Sequence, residues 1–143
     1  TANLRRCGLV CLLDSTLTQV DYYAHGPWEN YVDRKDACPV GRYTLDANDT
    51  GKYVKPQSMG NREGLRSMDL KDASGKGIRI QTQGNVSFSA LRYTDEDLMN
   101  NKHTWELQPR SASPGCRFAW NRKCKLWSGN HAEVPDSAET DEL

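Results

Sequence analysis

The sequence predicts an all-β fold, an antiparallel sandwich. Seven short segments alternate apolar and polar residues or are rich in β-forming residues, and they recur at regular intervals. Turn residues separate these segments, and only one stretch carries a clear helical signal. Strands spaced in this way, without intervening helices, are typical of a sandwich and not of a parallel sheet.

The predicted strands in chain order are LRRCGLVCLL, TQVDYYAH, VGRYTLD, GLRSMDLKD, GIRIQTQ, FSALRYT and HTWELQP. The segment DASGKG (72–77) predicts a hairpin between the fourth and fifth strands, since its glycines can adopt positive φ. The helical signal is TDEDLMNN. There Thr94 can act as N-cap, Asp97 follows three residues later, and the acidic residues lie at the positive end of the helix dipole.

Composition excludes several classes of function. The 143 residues suit one domain, and the 19 basic and 19 acidic residues cancel. This balance gives no electrostatic reason to expect nucleic acid or an anionic membrane as a partner. No apolar run approaches the ~20 residues of a membrane helix. Because the chain begins at Thr1 and its first methionine is Met59, we expect a fragment whose reading frame starts upstream.

Cysteine and histidine spacing predicts neither a metal site nor a cofactor. The odd set of cysteines has no metal-ligand spacing: Cys7, Cys11, Cys38, Cys116 and Cys124. Cys7 and Cys11 share one strand face with Leu9 and Leu13, which predicts buried, reduced thiols; the alternative is a zinc site. His25 and His103 lie far apart in the sequence, so they support no nucleophile–base pair.

The segment HGPWENYVDR (25–34) is the richest in potential chemistry. Trp28 and Tyr31 offer flat faces to sugar rings. Four side chains nearby can engage hydroxyl groups: Glu29, Asn30, Asp33 and Arg34. In the structural interpretation, which spacing alone favours, these polar groups satisfy the loop's own backbone at the end of a sheet.

This segment resembles the GP-x-ENY-x-DR signature in the C-terminal small-chain domain of large, multidomain bacterial β-galactosidases. The resemblance covers residues 4 to 109 and continues in order through VGRY, YVKPQSMGNREGLR, FSALRYTDEDL and HTWEL. Trp28 and Val32 stand at positions that the family varies, and Ser58-Met59 replaces a more usual acidic-Asn pair.

The resemblance implies a fold and a role. The fold is an antiparallel supersandwich of the galactose-mutarotase type, of which this chain is the second half, incomplete at its C-terminus. The two catalytic glutamates of the family lie in a separate (β/α)₈ barrel, so no residue here is expected to be catalytic. The domain would pack on that barrel and help to shape the site for terminal β-D-galactosides. The resemblance does not decide the location of the protein, which could be the bacterial cytoplasm or the periplasm.

Ten residues are candidates for contact with the substrate or with the barrel domain: His25, Trp28, Glu29, Asn30, Tyr31, Asp33, Arg34, Gln57, Asn61 and Arg62. Glu29 and Asp33 are poor candidates for an acid–base pair, because an exposed loop does little to separate two carboxyl pKa values. The alternative function is a free-standing carbohydrate-binding sandwich that grips glycans through Trp28 and Tyr31.

Residues 110–143 are predicted to be a loosely ordered, out-of-frame tail. They show no strand alternation, whereas the family continues with HLDAVQRG-x-GNASCGPG. Codons shifted by one base from Ala112 can spell HLQDAVSRGIGNASCGPG, and both Trp120 and Trp127 become glycine, as the family has at those places. A one-base slip between Pro109 and Ala112 would thus remove the loop, NASCG, that the family lends to the galactose pocket. The alternative is a genuine divergent tail or a basic, aromatic binding segment.

Overall fold

The structure is a computed structural model that describes residues 7–49, 53–54, 59–108 and 115–120. Its six strands in chain order are β1 (Cys7–Leu12), β2 (Gln19–His25), β3 (Val40–Asp46), β4 (Arg62–Lys71), β5 (Gly77–Leu91) and β6 (Gly115–Trp120). Helix α1 (Asp95–Asn100) and a 3₁₀ turn (Thr104–Glu106) lie between β5 and β6. No helix among the described residues is long and apolar enough to span a membrane.

The strands form one sheet in the order β1-β6-β5-β4-β2-β3, and every pair is antiparallel. The predicted all-β antiparallel fold is confirmed. The described strands make up one six-stranded layer of the predicted sandwich.

One face of the sheet carries the main core. Along β2, Val20, Tyr22 and Ala24 are buried and alternate with less buried residues. Val20 pairs with Leu70 of β4, so the apolar positions of neighbouring strands lie side by side. Alternation places these residues on one face because successive side chains of a strand point to opposite sides. The opposite face of the same strands is polar.

The hairpin between β4 and β5 is confirmed. Asp72 accepts hydrogen bonds from the backbone amides of Ser74 and Lys76, and Gly75 adopts φ +82°. GIRIQTQ and the start of FSALRYT, predicted as two strands, form the single fifteen-residue strand β5. Its partner β4 has register shifts between Arg62 and Ser67, where Gly64 adopts φ +68°. A bulge of this kind bends a long strand without ending it.

The predicted helix is confirmed, and the predicted strand at HTWELQP is wrong. In α1, Thr94 and Asp97 form a reciprocal capping box. In the next segment, Glu106 accepts hydrogen bonds from the backbone amides of Lys102 (2.7 Å) and His103 (3.0 Å). In a strand, these two N–H groups would be available to hydrogen-bond to a neighbouring strand. Here the Glu106 carboxylate accepts hydrogen bonds from both, and the chain forms a 3₁₀ turn.

A strand forms within residues 110–143, the segment in which the sequence analysis found no strand alternation. Residues 115–120 form β6, which lies between β1 and β5. The sequence GCRFAW does alternate, since Cys116, Phe118 and Trp120 are separated by Arg117 and Ala119, but the surrounding basic residues obscured the pattern. The rest of the predicted tail lies outside the described residues, and the frame slip remains a prediction.

The two thiols described are both free. Cys38 is buried, and Cys11 on β1 is only half-buried. Leu9, two positions before Cys11, is 59% exposed. The predicted burial of this strand face is therefore incomplete.

Candidate functional site

The candidate site is the loop between β2 and β3, residues 26–39. Gly26 donates its amide to the Pro39 carbonyl at 3.2 Å and so closes the base of the loop. Nδ1 of His25 donates to the Cys38 carbonyl at 2.6 Å. The Gly26–Pro27 peptide bond is cis. The loop is therefore a closed unit at one end of the sheet.

Asn30 is the buried centre of this loop, with no exposed surface. Its Nδ2 donates to the carbonyls of His25 (3.1 Å) and Trp28 (2.9 Å), and its Oδ1 accepts from the amide of Glu63 (2.9 Å). Its backbone exchanges two further 2.8 Å hydrogen bonds with Asn61. Asn30 therefore joins the loop to the start of β4.

Glu29 lies beside Asn30, and its carboxylate is fully engaged. The Tyr53 hydroxyl donates to Glu29 at 2.5 Å, the Gly60 amide at 2.6 Å and Arg34 at 3.1 Å. Burial, reinforced by the Glu29 carboxylate, raises the pKa of Tyr53 above its usual value. Tyr53 therefore stays a neutral donor, and Glu29 holds residues 53 and 60 against the loop.

Arg62 is buried beneath the loop. It donates to the hydroxyl of Tyr22 (2.9 Å) and to the carbonyls of Gly60 (2.9 Å) and Pro27 (3.3 Å). Its guanidinium also lies 5.4 Å from the Tyr22 ring centroid. These contacts fix the loop to β2 and leave Arg62 inaccessible to a ligand.

The remaining candidates lie at the surface or outside the described residues. Trp28 is 74% exposed, and Asp33 is also exposed. Tyr31 is half-buried, with the Arg34 guanidinium 4.4 Å from its ring centroid. Gln57 lies outside the described residues. The outward surface of the loop thus carries the large aromatic side chain of Trp28, the apolar side chain of Val32 (61% exposed) and a few polar groups.

The geometry of Glu29 and Asp33 gives no support to acid–base chemistry by this pair. Glycoside hydrolysis needs two placed carboxyl groups, one of which can exchange a proton. Glu29 accepts three sets of hydrogen bonds, and Asp33 lies in solvent. No group of three or more potential metal ligands is present in the part of the chain that the structure describes.

Comparison with known protein families shows that residues 1–123 match the family described as Beta galactosidase small chain. The chain belongs to this family. The small-chain match runs past residue 109, where the sequence predicted the family likeness to end, and it includes β6.

Comparison with individual proteins finds relatives that are named beta-galactosidase. The chain is 32% identical to the beta-galactosidase of Streptococcus thermophilus over 113 residues, which cover 78% of this chain and 11% of the relative. It is 33% identical to the beta-galactosidase of Halalkalibacterium halodurans over 97 residues, covering 66% and 10%. For the enzyme of Actinobacillus pleuropneumoniae the identity is 32% over 115 residues, covering 79% and 11%. The chain therefore spans about a tenth of the length of the curated relatives it matches.

Sequence reasoning missed several partners in this small-chain loop. Tyr53, Gly60 and Glu63 complete the hydrogen-bond network around Glu29 and Asn30. All three lie within YVKPQSMGNREGLR, the motif that follows the loop in the resemblance. The shared motif was the available signal, since spacing alone could not show that the two segments meet.

Proposed function

We propose that this chain is a non-catalytic module of a β-galactosidase that hydrolyses terminal β-D-galactosides. In the parent enzyme its loop 26–39 docks on the catalytic barrel domain and helps to shape the galactoside site. The observation that carries this proposal is the division of the loop into an engaged interior and an exposed aromatic tip. Its polar groups hold the loop rigid, and Trp28 is presented outward.

Rigid presentation of a large aromatic side chain suits a docking contact. Trp28 is 74% exposed, while Asn30, two residues later, is fully buried. Tryptophan is among the residues that contribute most when an interface buries them. Because the loop is already ordered by Asn30, Glu29 and Arg62, little conformational entropy would be lost when Trp28 is buried.

Activity of the chain alone tests the non-catalytic part of the proposal. The purified chain, shown to be folded by circular dichroism, should release no chromophore from a nitrophenyl β-galactoside above the blank. Turnover that disappears in Glu29→Gln would make the loop an active site and overturn the proposal. The Gln variant keeps the shape of Glu29, so loss of turnover would report the carboxylate itself.

Docking is tested in a complete β-galactosidase that contains this chain. Trp28→Ala should lower the activity of that enzyme and its thermal stability, while the isolated chain keeps its melting temperature. Trp105→Ala is the matched control, because Trp105 is 76% exposed but lies outside the loop. Equal effects of the two substitutions would argue against a docking role for Trp28.

The second candidate function is a carbohydrate-binding sandwich, favoured by the exposure of Trp28. In the docking proposal, lactose binds the isolated chain only with a dissociation constant of about 1 mM or weaker, near −4 kcal/mol. Isothermal titration calorimetry measures this affinity. Micromolar binding that Trp28→Ala abolishes would support the carbohydrate-binding function instead.

A further inference from the structure

The polar face of the sheet carries an ordered row of charged side chains, which we call the ion-pair row. Asp21 accepts hydrogen bonds from Thr44 (2.6 Å) and Lys71 (2.8 Å). Asp69 lies 3.9 Å from Lys71 and accepts two hydrogen bonds from Arg79, at 2.6 and 2.7 Å. The row therefore crosses the sheet from β3 to β5, and both of its carboxylates are engaged.

Beside this row, Tyr23 of β2 lies between two arginines, and we call the three residues the Arg-Tyr-Arg cluster. Arg42 on β3 lies 5.0 Å from the Tyr23 ring centroid, and Arg66 on β4 lies 5.3 Å from it. Arg42 is directly opposite Tyr23 in the β2–β3 register. A guanidinium group over an aromatic ring is attracted to the face of the ring and keeps N–H groups that can donate to a further partner.

The cluster carries positive charge that the described residues do not neutralise. Arg66 donates to the Gly64 carbonyl at 3.0 Å, and Arg42 is exposed. No carboxylate among the residues that the structure describes forms an ion pair with either arginine. In contrast, Arg34 stacks on Tyr31 in the same way and does have a carboxylate partner, Glu29. Two guanidinium groups on this face therefore lack the counter-charge that a similar stacked arginine has.

A depression of about 500 Å³ lies next to the cluster on the same face. Its polar lining includes Arg42, Thr44, Ser67 and Gln81, together with the acidic members of the ion-pair row. The depression is open and contains both donors and acceptors, so it suits a polar peptide backbone beside a charged side chain. Tyr23 beside it does not suit a stacked sugar ring, because the guanidinium groups of Arg42 and Arg66 already lie over the Tyr23 ring.

We propose that the Arg-Tyr-Arg cluster binds an acidic peptide segment of a protein partner, with one acidic side chain paired to Arg42 and a second paired to Arg66. The fork of a guanidinium group matches a carboxylate with two parallel hydrogen bonds. Asp21 and Asp69, each already engaged, repel acidic side chains and so confine them to the cluster end of the row. The depression beside the cluster receives the rest of the segment.

Titration with the capped peptide Glu-Glu-Gly-Ser-Gly-Ser at low ionic strength tests this site, because only its first two side chains are acidic; binding to the full chain is followed by NMR and calorimetry. The Arg42→Gln/Arg66→Gln double variant should bind about tenfold more weakly or worse, since two charge-assisted contacts are lost. Lys76→Gln is the matched control: it removes one positive charge from the exposed hairpin and should leave affinity unchanged. Arg42→Lys/Arg66→Lys keeps the charge but loses the fork, and should bind with intermediate affinity.

Several results would overturn the proposal. These are failure of the wild-type chain to bind the peptide, equal affinity of the double glutamine variant, or an equal loss of affinity in Lys76→Gln. Inorganic phosphate that competes with the peptide at the same concentration as the peptide itself would show a small-anion site instead. Circular dichroism and the melting temperature of each variant establish that a loss of binding is not a loss of fold. If the glutamine variants fail to fold, the lysine variant still decides between a fork-specific site and general charge attraction.

Discussion

At the scale of single residues, the loop shows how a buried amide can organise exposed groups. The side chain of Asn30 makes three hydrogen bonds to backbone groups of His25, Trp28 and Glu63. Buried polar groups are retained at low cost when all their hydrogen bonds are made, and at high cost otherwise. The position of Trp28 therefore depends on a neighbour that no ligand could reach.

Asn30→Asp should destabilise the chain by about 3 kcal/mol, because a carboxylate would face two carbonyl oxygens and lose both donor contacts. Urea unfolding followed by circular dichroism measures the change. The control is Asp33→Asn, the reverse exchange of the same groups in the same loop at an exposed position, which should change stability by less than about 0.5 kcal/mol. Similar effects of the two substitutions would contradict the structural role of Asn30.

The ion-pair row predicts a pH dependence of stability at acid pH. The Lys71 ammonium, assisted by the Thr44 hydroxyl, lowers the pKa of Asp21 from 3.8 to about 2. A carboxyl pKa lower in the folded state adds stability above its ordinary pKa, and that stability is lost as the pH falls through the folded-state value. Since the Asp21 side chain is 31% exposed, we expect a contribution of only about 1 kcal/mol.

Urea unfolding of the wild type and Asp21→Asn from pH 6 to pH 2 measures this contribution. The difference in unfolding free energy should be constant above about pH 5 and shrink between about pH 4 and pH 2. In a Lys71→Gln background the main cause of the low pKa is removed, so the same difference should be smaller at neutral pH. A difference that does not vary with pH would rule out the ion pair as its source.

The candidate site could be predicted from the sequence only in outline. The exposure of Trp28 agrees with a side chain that meets a ligand or another domain. Glu29, Asn30 and Arg62 were also candidates for contact, but the fold engages them internally. A sequence shows which residues can form hydrogen bonds. It does not show which of these residues bond to each other within the fold, because that depends on segments that are distant in the chain, here 29–34 and 53–63.

At the scale of elements, two glycines with positive φ in the β4–β5 hairpin should differ in how well they tolerate a side chain. A Cβ added to Gly75, at the hairpin tip, would have no atom within 4 Å, whereas a Cβ added to Gly64 would lie 3.0 Å from the His25 ring. Gly75→Ala should therefore cost about 1 kcal/mol, for the backbone conformation alone. Gly64→Ala should cost about 2 kcal/mol or more, because the His25 ring must also move.

Thermal unfolding of both variants measures this difference, and NMR reports whether His25 moves. The Gly64→Ala variant should shift the His25 ring resonances, because the added Cβ displaces the ring and disturbs its hydrogen bond to the Cys38 carbonyl. Gly75→Ala should leave them unchanged. Equal destabilisation by the two substitutions would show that crowding at Gly64 has no consequence.

The elements that sequence predicted well are those with local causes. Helix α1 follows from the capping residues Thr94 and Asp97, and the hairpin follows from Asp72 and Gly75. The errors arose where a distant or competing contact decides. Glu106 captures two amides of its own segment and prevents a strand, and β6 exists through its pairing with strands on both sides.

At the scale of the whole molecule, β6 connects β1 to the rest of the sheet. Among the described strands, β1 pairs with β6, which also pairs with β5. A chain ending at residue 108 should therefore release β1 and expose an edge of β5 that favours association. A chain ending at residue 123, where the family match ends, keeps β6 and is the matched control.

We expect the shorter chain to melt several degrees lower, because each kcal/mol of unfolding free energy lost lowers the melting temperature by about 3–4 °C in a domain of this size. We also expect it to elute as larger species in size-exclusion chromatography, because the exposed edge of β5 favours association. The 123-residue chain should behave like the full chain. Equal melting temperatures of the two truncations would show that β6 adds nothing to stability. The frame slip is tested separately, by the nucleotide sequence from codon 105 onward.

The place of β6 in the sheet has a consequence for the order of events during synthesis. Cys7 pairs with Trp120 and Leu12 with Gly115, so each partner is translated about a hundred residues after the other. At roughly 5–20 residues per second, β1 is synthesised about 5–20 s before its neighbour. During this interval the partners of Leu9, Val10 and Leu12 in β6 do not yet exist. The sheet can therefore take up β1 only after β6 has been made, and the earliest of the six described strands is the last to find its partner.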